Sequence, residues 1–137
     1  MMEPQLRQRQ VQITKTLPDQ PVRVMGDRMR IEQVMVNLLR NALDATKSVA
    51  DPEVEIILAA GDTASLTVRD NGDGIEDLDS LFEPFYTTRE DGNGLGLYLC
   101  RELCESNYIK LSYQNAATGG SIFRLQFSAQ DLNGAAA

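Results

Sequence analysis

Three clusters of residues have types and spacings suited to chemistry. The first is a stripe of amides and charges, Asn37, Asn41 and Asp44 at i, i+4 and i+7, continued toward the amino end by Gln33 and Arg30. On a helix these side chains share one face. Asparagine is a poorer helix former than lysine or glutamate, and two stacked amides at mid-helix cost a few tenths of a kcal/mol each, by order of magnitude. Either the stripe is a solvated surface, or its carbonyl oxygens are ligands for a hard cation such as Mg2+, which takes oxygen donors and keeps several waters. The second cluster is "RDNGDGI", in which Asp70 closes an apolar run and Gly72 and Gly74 follow. "DNGDG" is a good turn sequence in its own right. It also sets a carboxylate at a strand end with backbone passing close beside it, an arrangement that can accept a hydrogen bond from the exocyclic amine of adenine. Such a charge-assisted bond is worth roughly 1.5–3 kcal/mol. The third is "DGNGLGL", with Gly92, Gly94 and Gly96 interleaved by Leu95 and Leu97. Its backbone N–H groups and the helix beginning near Leu95 can cradle a polyphosphate. A flexible linker also collects glycines, but has no use for anchored leucines.

The elements that must carry these clusters follow from periodicity. "VQITKTL" and "VRVM" read as two short edge strands, separated and closed by "PDQP" and "GD". From Asp27 to about Ser48 the apolar residues Ile31, Val34, Met35, Leu38, Ala42 and Ala45 recur with helical period, with Asp27 as N-cap. "VEIILAA" and "SLTVRD" read as a hairpin, and residues 71 to 96 as loop with at most a helical turn around Leu78 to Phe82. A second long helix is expected from Leu95 to Ser106, then two strands in "IKLSYQN" and "GGSIFRLQFSA". The expected fold is a two-layer α/β sandwich with a mixed sheet of about five or more strands and about three helices on one face. Residues 1–10 read as a connection from something upstream, 11–129 as the domain, and 130–137 as a disordered tail.

Composition bounds the function. The 137 residues suit one domain, 42% of them are hydrophobic, and 13 basic against 20 acidic residues give a net charge of −7. That balance disfavours a nucleic-acid backbone as partner. No run approaches a membrane span or a secretory leader, which leads to the expectation of a cytoplasmic module without membrane contact. Cys100 and Cys104 lie four apart on the second helix, where a mutual disulfide is disfavoured, and there is no histidine to complete a zinc site. They are expected to be buried thiols.

Taken in order, "NLLRNALDA", "DNGDGI", "LFEPFYTT" and "GNGLGL" resemble the N box, first glycine box, F box and second glycine box of the sensor histidine kinase catalytic domain, a member of the GHKL ATPase superfamily. The resemblance runs from about Gly26 to Phe127. It implies a nucleotide cleft, ATP and Mg2+ as ligands, and transfer of the γ-phosphoryl group to a histidine on a helical dimerisation domain, with a response regulator receiver domain downstream. Residue by residue it implies Asn41 as the Mg2+ ligand, Asn37 near the phosphates, and Asp70 as the adenine reader, helped by Gly74. Phe82 and Phe85 would stand at the base of the lid. Thr88 and Arg89 would face the phosphates or the phosphoacceptor domain, and Gly92, Gly94, Leu95, Gly96 and Leu97 would frame the far end of the lid. Ala45, Gly72 and Ile75 would line the cleft, and Ser121 would reach adenine through water.

Two departures from the family pattern stand out: "ESNYIKLSY" where many relatives have a Gly-Gly turn, and Asp44 where many have lysine or histidine. The short lid and "NALDA" are similar to kinases governing nitrogen, dicarboxylate or pilus gene expression. Because the chain has no histidine, it is expected to be a catalytic domain separated from its phosphoacceptor helices, monomeric alone and unable to label itself. The same motifs leave three alternatives: a serine-protein kinase of the anti-sigma-factor type, a gyrase-like or MutL-like mechanical ATPase, which would normally present a glutamate as general base where Asn37 stands, or a nucleotide-binding regulatory module without turnover.

Overall fold

The computed structural model describes residues 11–61, 63–77, 79–83 and 96–128. In chain order these form β1 (Gln12–Thr16), α1 (Arg28–Ala45), β2 (Glu53–Ala59), β3 (Ser65–Asp70), α2 (Gly96–Ser106), β4 (Lys110–Asn115) and β5 (Ser121–Gln126). The five strands make one sheet in the order β1-β2-β3-β5-β4. β1 runs parallel to β2, and every other neighbouring pair is antiparallel. The sheet is therefore mixed, and the α/β sandwich expected from the sequence is the fold observed.

Strand alternation decides which face is covered. In β3 and β5 the inward set is Leu66, Val68 and Asp70 with Ser121, Phe123 and Leu125, all buried, while Arg69, Arg124 and Gln126 on the other face are exposed. The register aligns these into rows: Ile56, Val68, Phe123 and Tyr113 form one, and Leu58, Leu66, Leu125 and Leu111 the next. Against them α1 packs Val34, Leu38 and Ala42, and α2 packs Cys100 and Cys104. The row nearest the site runs Val54, Asp70, then Ser121 paired with Asn115. It turns from apolar to polar at the sheet's end, and so a carboxylate sits at the margin of a hydrocarbon core.

Both helix ends are set by local chemistry. Asp27 has extended backbone and its carboxylate accepts from Met29 N at 3.0 Å, so it is the N-cap of α1. At the other end the Thr46 hydroxyl folds back to donate to the carbonyls of Ala42 and Leu43, both at 3.1 Å. The helix stops there, three residues short of the expected Ser48. α2 ends on a Schellman arrangement in which Ile109 N donates to Cys104 O at 2.9 Å and Tyr108 N to Glu105 O at 3.3 Å. The left-handed residue this needs is Tyr108, at φ 58, in the place where a Gly-Gly turn was the family pattern. The Ser128 hydroxyl holds that turn by donating to Tyr108 O at 2.7 Å.

One expected strand is absent among the described residues. "VRVM" is not a strand: residues 21–25 pair with no strand, and Val24 packs against the core instead. The stretch around Leu78 to Phe82, expected as loop with at most a helical turn, is over residues 79–83 a turn in which Glu83 N donates to Ser80 O at 3.0 Å. Asp77 organises it by accepting from Asp79 N at 3.1 Å and Ser80 N at 3.3 Å. Two helices are thus described where about three were expected. Cys100 and Cys104 are free and buried, as expected.

Candidate functional site

The site is built where β3 stops. Asp70 is 3% exposed, and three groups hold its carboxylate. The Ser121 hydroxyl donates to Oδ2 at 2.7 Å, and the backbone N–H groups of Gly72 and Ser121 donate to Oδ1 at 2.9 and 3.4 Å. A buried carboxylate is costly unless its lone pairs are used. These bonds fix its orientation and leave it as the acceptor at the sheet margin. Ser121, expected to reach the base through water, is itself 2% exposed and hydrogen-bonds the aspartate directly.

The loop after Asp70 is pinned on two sides. Asn71 accepts from Glu53 N and donates to Asp51 O, both at 2.8 Å, tying the loop's start to β2. Gly72 lies on the carboxyl end of α1, so close that a Cβ there would run into the carbonyl of Ala45. That contact places the loop beside the helix carrying the amide stripe, and only a glycine permits it. Gly120, φ +98, plays the matching part from β5's side, for a Cβ on it would strike the Asp70 carbonyl. Asn71 and Gly120 were not among the candidate residues. "GGS" before a strand was the readable sign of the latter; no sign in the sequence marked the former's link to residues 51 and 53.

On α1, Asn41 is 8% exposed, buried for an amide, on the same side as Ala42 and Leu38. Asn37 is half-buried, its Oδ1 accepting from Gln33 Nε2 at 3.2 Å. Its Nδ2 is buried with no hydrogen-bond partner of normal geometry and abuts the Cys100 thiol. Burial pushes that thiol up to about 12, with the Asn37 amide opposing and Cys104 adding to the rise. Burial likewise takes Cys104 to about 11, assisted by Glu105. Both cysteines are therefore protonated and unreactive near neutral pH.

Ile75 and Leu97 are partly buried against the core, and Ala45 meets Gly72. Gly96 opens α2 with open space around its Cα. Phe82, 5% exposed, is stacked edge-on against Tyr113 with ring centroids 4.7 Å apart and against Phe123 at 6.5 Å. Phe85, Thr88, Arg89, Gly92, Gly94 and Leu95 lie outside the described residues. Among the described residues no group of three or more His, Cys, Asp or Glu side chains could hold a metal. No helix among them is long and apolar enough to cross a membrane.

Residues 26–131 match the sequence profile of the histidine kinase-, DNA gyrase B-, and HSP90-like ATPase family, and the chain belongs to that family as an ATP-binding domain of the sensor histidine kinase kind. Over 108 residues it is 42% identical to the sensor protein kinase PilS of Pseudomonas aeruginosa, covering 74% of this chain and 20% of that protein. Over 125 residues it is 35% identical to the C4-dicarboxylate transport sensor protein DctS of Rhodobacter capsulatus, covering 88% of this chain and 19% of that one. It thus spans about a fifth of the length of these relatives. The catalytic domain of histidine kinase ThkA, in a nucleotide-free form, superposes with a TM-score of 0.79 at 28% identity, covering 93% of this chain and 85% of that one. ThkA has also been solved in complex with the response regulator protein TrrA, where the TM-score is 0.74 at 26% identity over 93% of this chain and 37% of that one.

Proposed function

We propose that this domain binds Mg-ATP and transfers its γ-phosphoryl group to a histidine on a separate helical domain, from which a response regulator receives it. The observation that carries this reading is the Asp70 carboxylate, 3% exposed, oriented by Ser121 and Gly72 at the sheet margin beside the carboxyl half of α1. A fixed, buried acceptor at a strand end suits one task, the recognition of an amine donor on a flat ligand edge. ATP supplies that donor, and its phosphates would then extend toward α1 and the start of α2.

Asn41 is the residue on hand for Mg2+. Mg2+ takes oxygen donors and keeps several waters, so one amide oxygen with the substrate phosphates would suffice to hold it. When bound, the ion neutralises charge on the transferring phosphoryl group. Asn37 is one turn earlier on the same stripe, its Oδ1 accepting from Gln33 and its Nδ2 turned to the Cys100 thiol, so its part toward the phosphates rests on the sequence pattern. The lid residues Phe85, Thr88, Arg89, Gly92, Gly94 and Leu95 are assigned to phosphate contact and closure on their sequence pattern. The chain has no histidine, so the phosphoacceptor belongs to another domain. The response regulator partner is supported by the ThkA–TrrA complex. We place the domain in the cytoplasm, where ATP is supplied, acting as a monomer with neither nucleic acid nor membrane as partner.

The test is to incubate the chain with ATP labelled at the γ-position and a histidine-bearing helical hairpin. Acid-labile label on the hairpin is the expected result. Acid-stable label on a serine would instead make it a serine-protein kinase, and ATP binding without any transfer would make it a regulatory module.

A further inference from the structure

Asn115 closes β4, and its side-chain amide makes two hydrogen bonds to a single distant residue. Ile75 N donates to its Oδ1 at 2.6 Å, and its Nδ2 donates to Ile75 O at 3.0 Å. An antiparallel strand neighbour would offer a backbone this same pair of bonds. Ile75 lies in no strand, and the planar amide stands in for one. Asparagine suits the task because it presents an acceptor and a donor side by side at fixed spacing. Aspartate would supply only the acceptor, and alanine neither.

The clamp is continuous with the Asp70 site. Asn115 pairs with Ser121 across the β4–β5 ladder, and Ser121 is the residue whose hydroxyl holds Asp70. A Cβ on Gly74 would lie 3.0 Å from Asn115 Oδ1 and 3.5 Å from Gly120 O, so the loop rests directly on the hairpin. One cross-strand pair thus grips the loop twice: Ser121 takes the carboxylate and Asn115 takes the backbone five residues further on. At the near end Asn71 makes its own pair of bonds to Glu53 N and Asp51 O.

We infer that Asn115 is a positioning residue of the nucleotide pocket, fixing the height of Gly74 and Ile75 relative to Asp70 and so setting affinity and base selectivity. The inference rests on the nucleotide reading proposed above. Without the clamp the loop samples conformations that nucleotide must then reorder, and that ordering is taken from the binding free energy. Asn115 is itself exposed at the rim, so its loss leaves no buried polar group behind and the core stays packed.

The experiment compares Asn115→Ala, Asn115→Asp and the neighbouring control Gln114→Ala. ATP and GTP affinities are measured by calorimetry, hydrogen exchange at Ile75 N–H without nucleotide, and thermal melting alongside. Asn115→Ala is expected to speed Ile75 exchange, weaken ATP binding by about tenfold and narrow the ATP-over-GTP preference, with melting shifted by a few degrees at most. Asn115→Asp should fall between, and Gln114→Ala should match the wild type. Should Asn115→Ala fail to fold, Asn115→Asp is judged by the same criteria. Faster Ile75 exchange with unchanged ATP affinity and selectivity would overturn the inference and leave ATP binding standing. A wild-type chain that binds no ATP would overturn the nucleotide reading, and this inference with it.

Discussion

Replacing Asp70 by asparagine separates recognition from folding with unusual clarity, because its surroundings dictate how the new side chain must lie. Oδ1 accepts from two backbone N–H groups, those of Gly72 at 2.9 Å and Ser121 at 3.4 Å. An amide NH2 on that side would oppose two donors, so the oxygen of the asparagine stays there and the nitrogen takes the place of Oδ2. The Ser121 hydroxyl, 2.7 Å away, can rotate and accept. Inside the protein every bond is kept, weakened from charged to neutral by about 1 kcal/mol in sum, which corresponds to a melting shift of about 4 °C or less for a domain of this size. The ligand fares differently. It loses a charge-assisted bond worth about 1.5–3 kcal/mol, which at about 1.4 kcal/mol per decade is a ten- to hundredfold rise in the ATP dissociation constant. Calorimetric titration with ATP beside a thermal melt reads both effects. An Asp70→Asn variant that melts normally and binds ATP within twofold of wild type would refute the assignment of Asp70 as base reader.

Asn41→Ala should lose the Mg2+-dependent part of ATP binding, read by titrating ATP with and without the metal. A variant with undiminished metal dependence would return the amide stripe to a structural role. Gly120→Ala should fold poorly or lose ATP binding by tenfold or more, since its methyl would meet the Asp70 carbonyl, whereas Gly119→Ala, with open space at its Cα, should cost only backbone strain of about 1 kcal/mol; thermal melting and ATP titration of the pair distinguish them. The buried thiols predict alkaline behaviour. Cys100, near 12 when folded against 9.0 for the free group, retains its proton after the unfolded chain has released it, so stability falls as pH rises from about 9 toward 12. The slope from this thiol is at most about 1.4 kcal/mol per pH unit. Comparing melting temperatures of wild type and Cys100→Ala across that range should show a shallower alkaline decline in the variant, and equal slopes would contradict the burial argument.

What could be read from the sequence was whatever depended on short-range pattern. The helical period and Asp27 gave α1 its start, the two β-branched runs gave the β2–β3 hairpin, and an acid ending an apolar strand marked Asp70. The misses share a different cause. Val22 to Met25 has strand composition but finds no pairing partner, and its Val24 is taken up by packing against the core. Asn115 and Ile75 are 40 positions apart, and their link depends on the β4–β5 register and on where the loop after Asp70 lies. Tyr108 holds a left-handed turn that glycine would hold more cheaply, and it does so because the Schellman bonds at the end of α2 and the Ser128 hydroxyl fix that turn from outside. Side chains that act as substitutes for backbone leave little imprint on periodicity.

The attachment of β1 gives the domain a particular response to mechanical load. That strand pairs through a single parallel ladder with β2, all five of its residues are exposed, and among the described residues no strand pairs with its outer edge. Tension arriving at Gln12 falls on the packing of Val11 against the core and on this ladder together. Pulled away from the sheet, β1 unzips bond by bond at low force; pulled along its axis, it shares the load across the whole ladder and resists. The four antiparallel strands behind it, with Asp70 and Ser121 at the ends of the central two, do not rely on β1 for their pairing. β1 is thus the one described strand whose loss would leave every antiparallel ladder of the sheet intact.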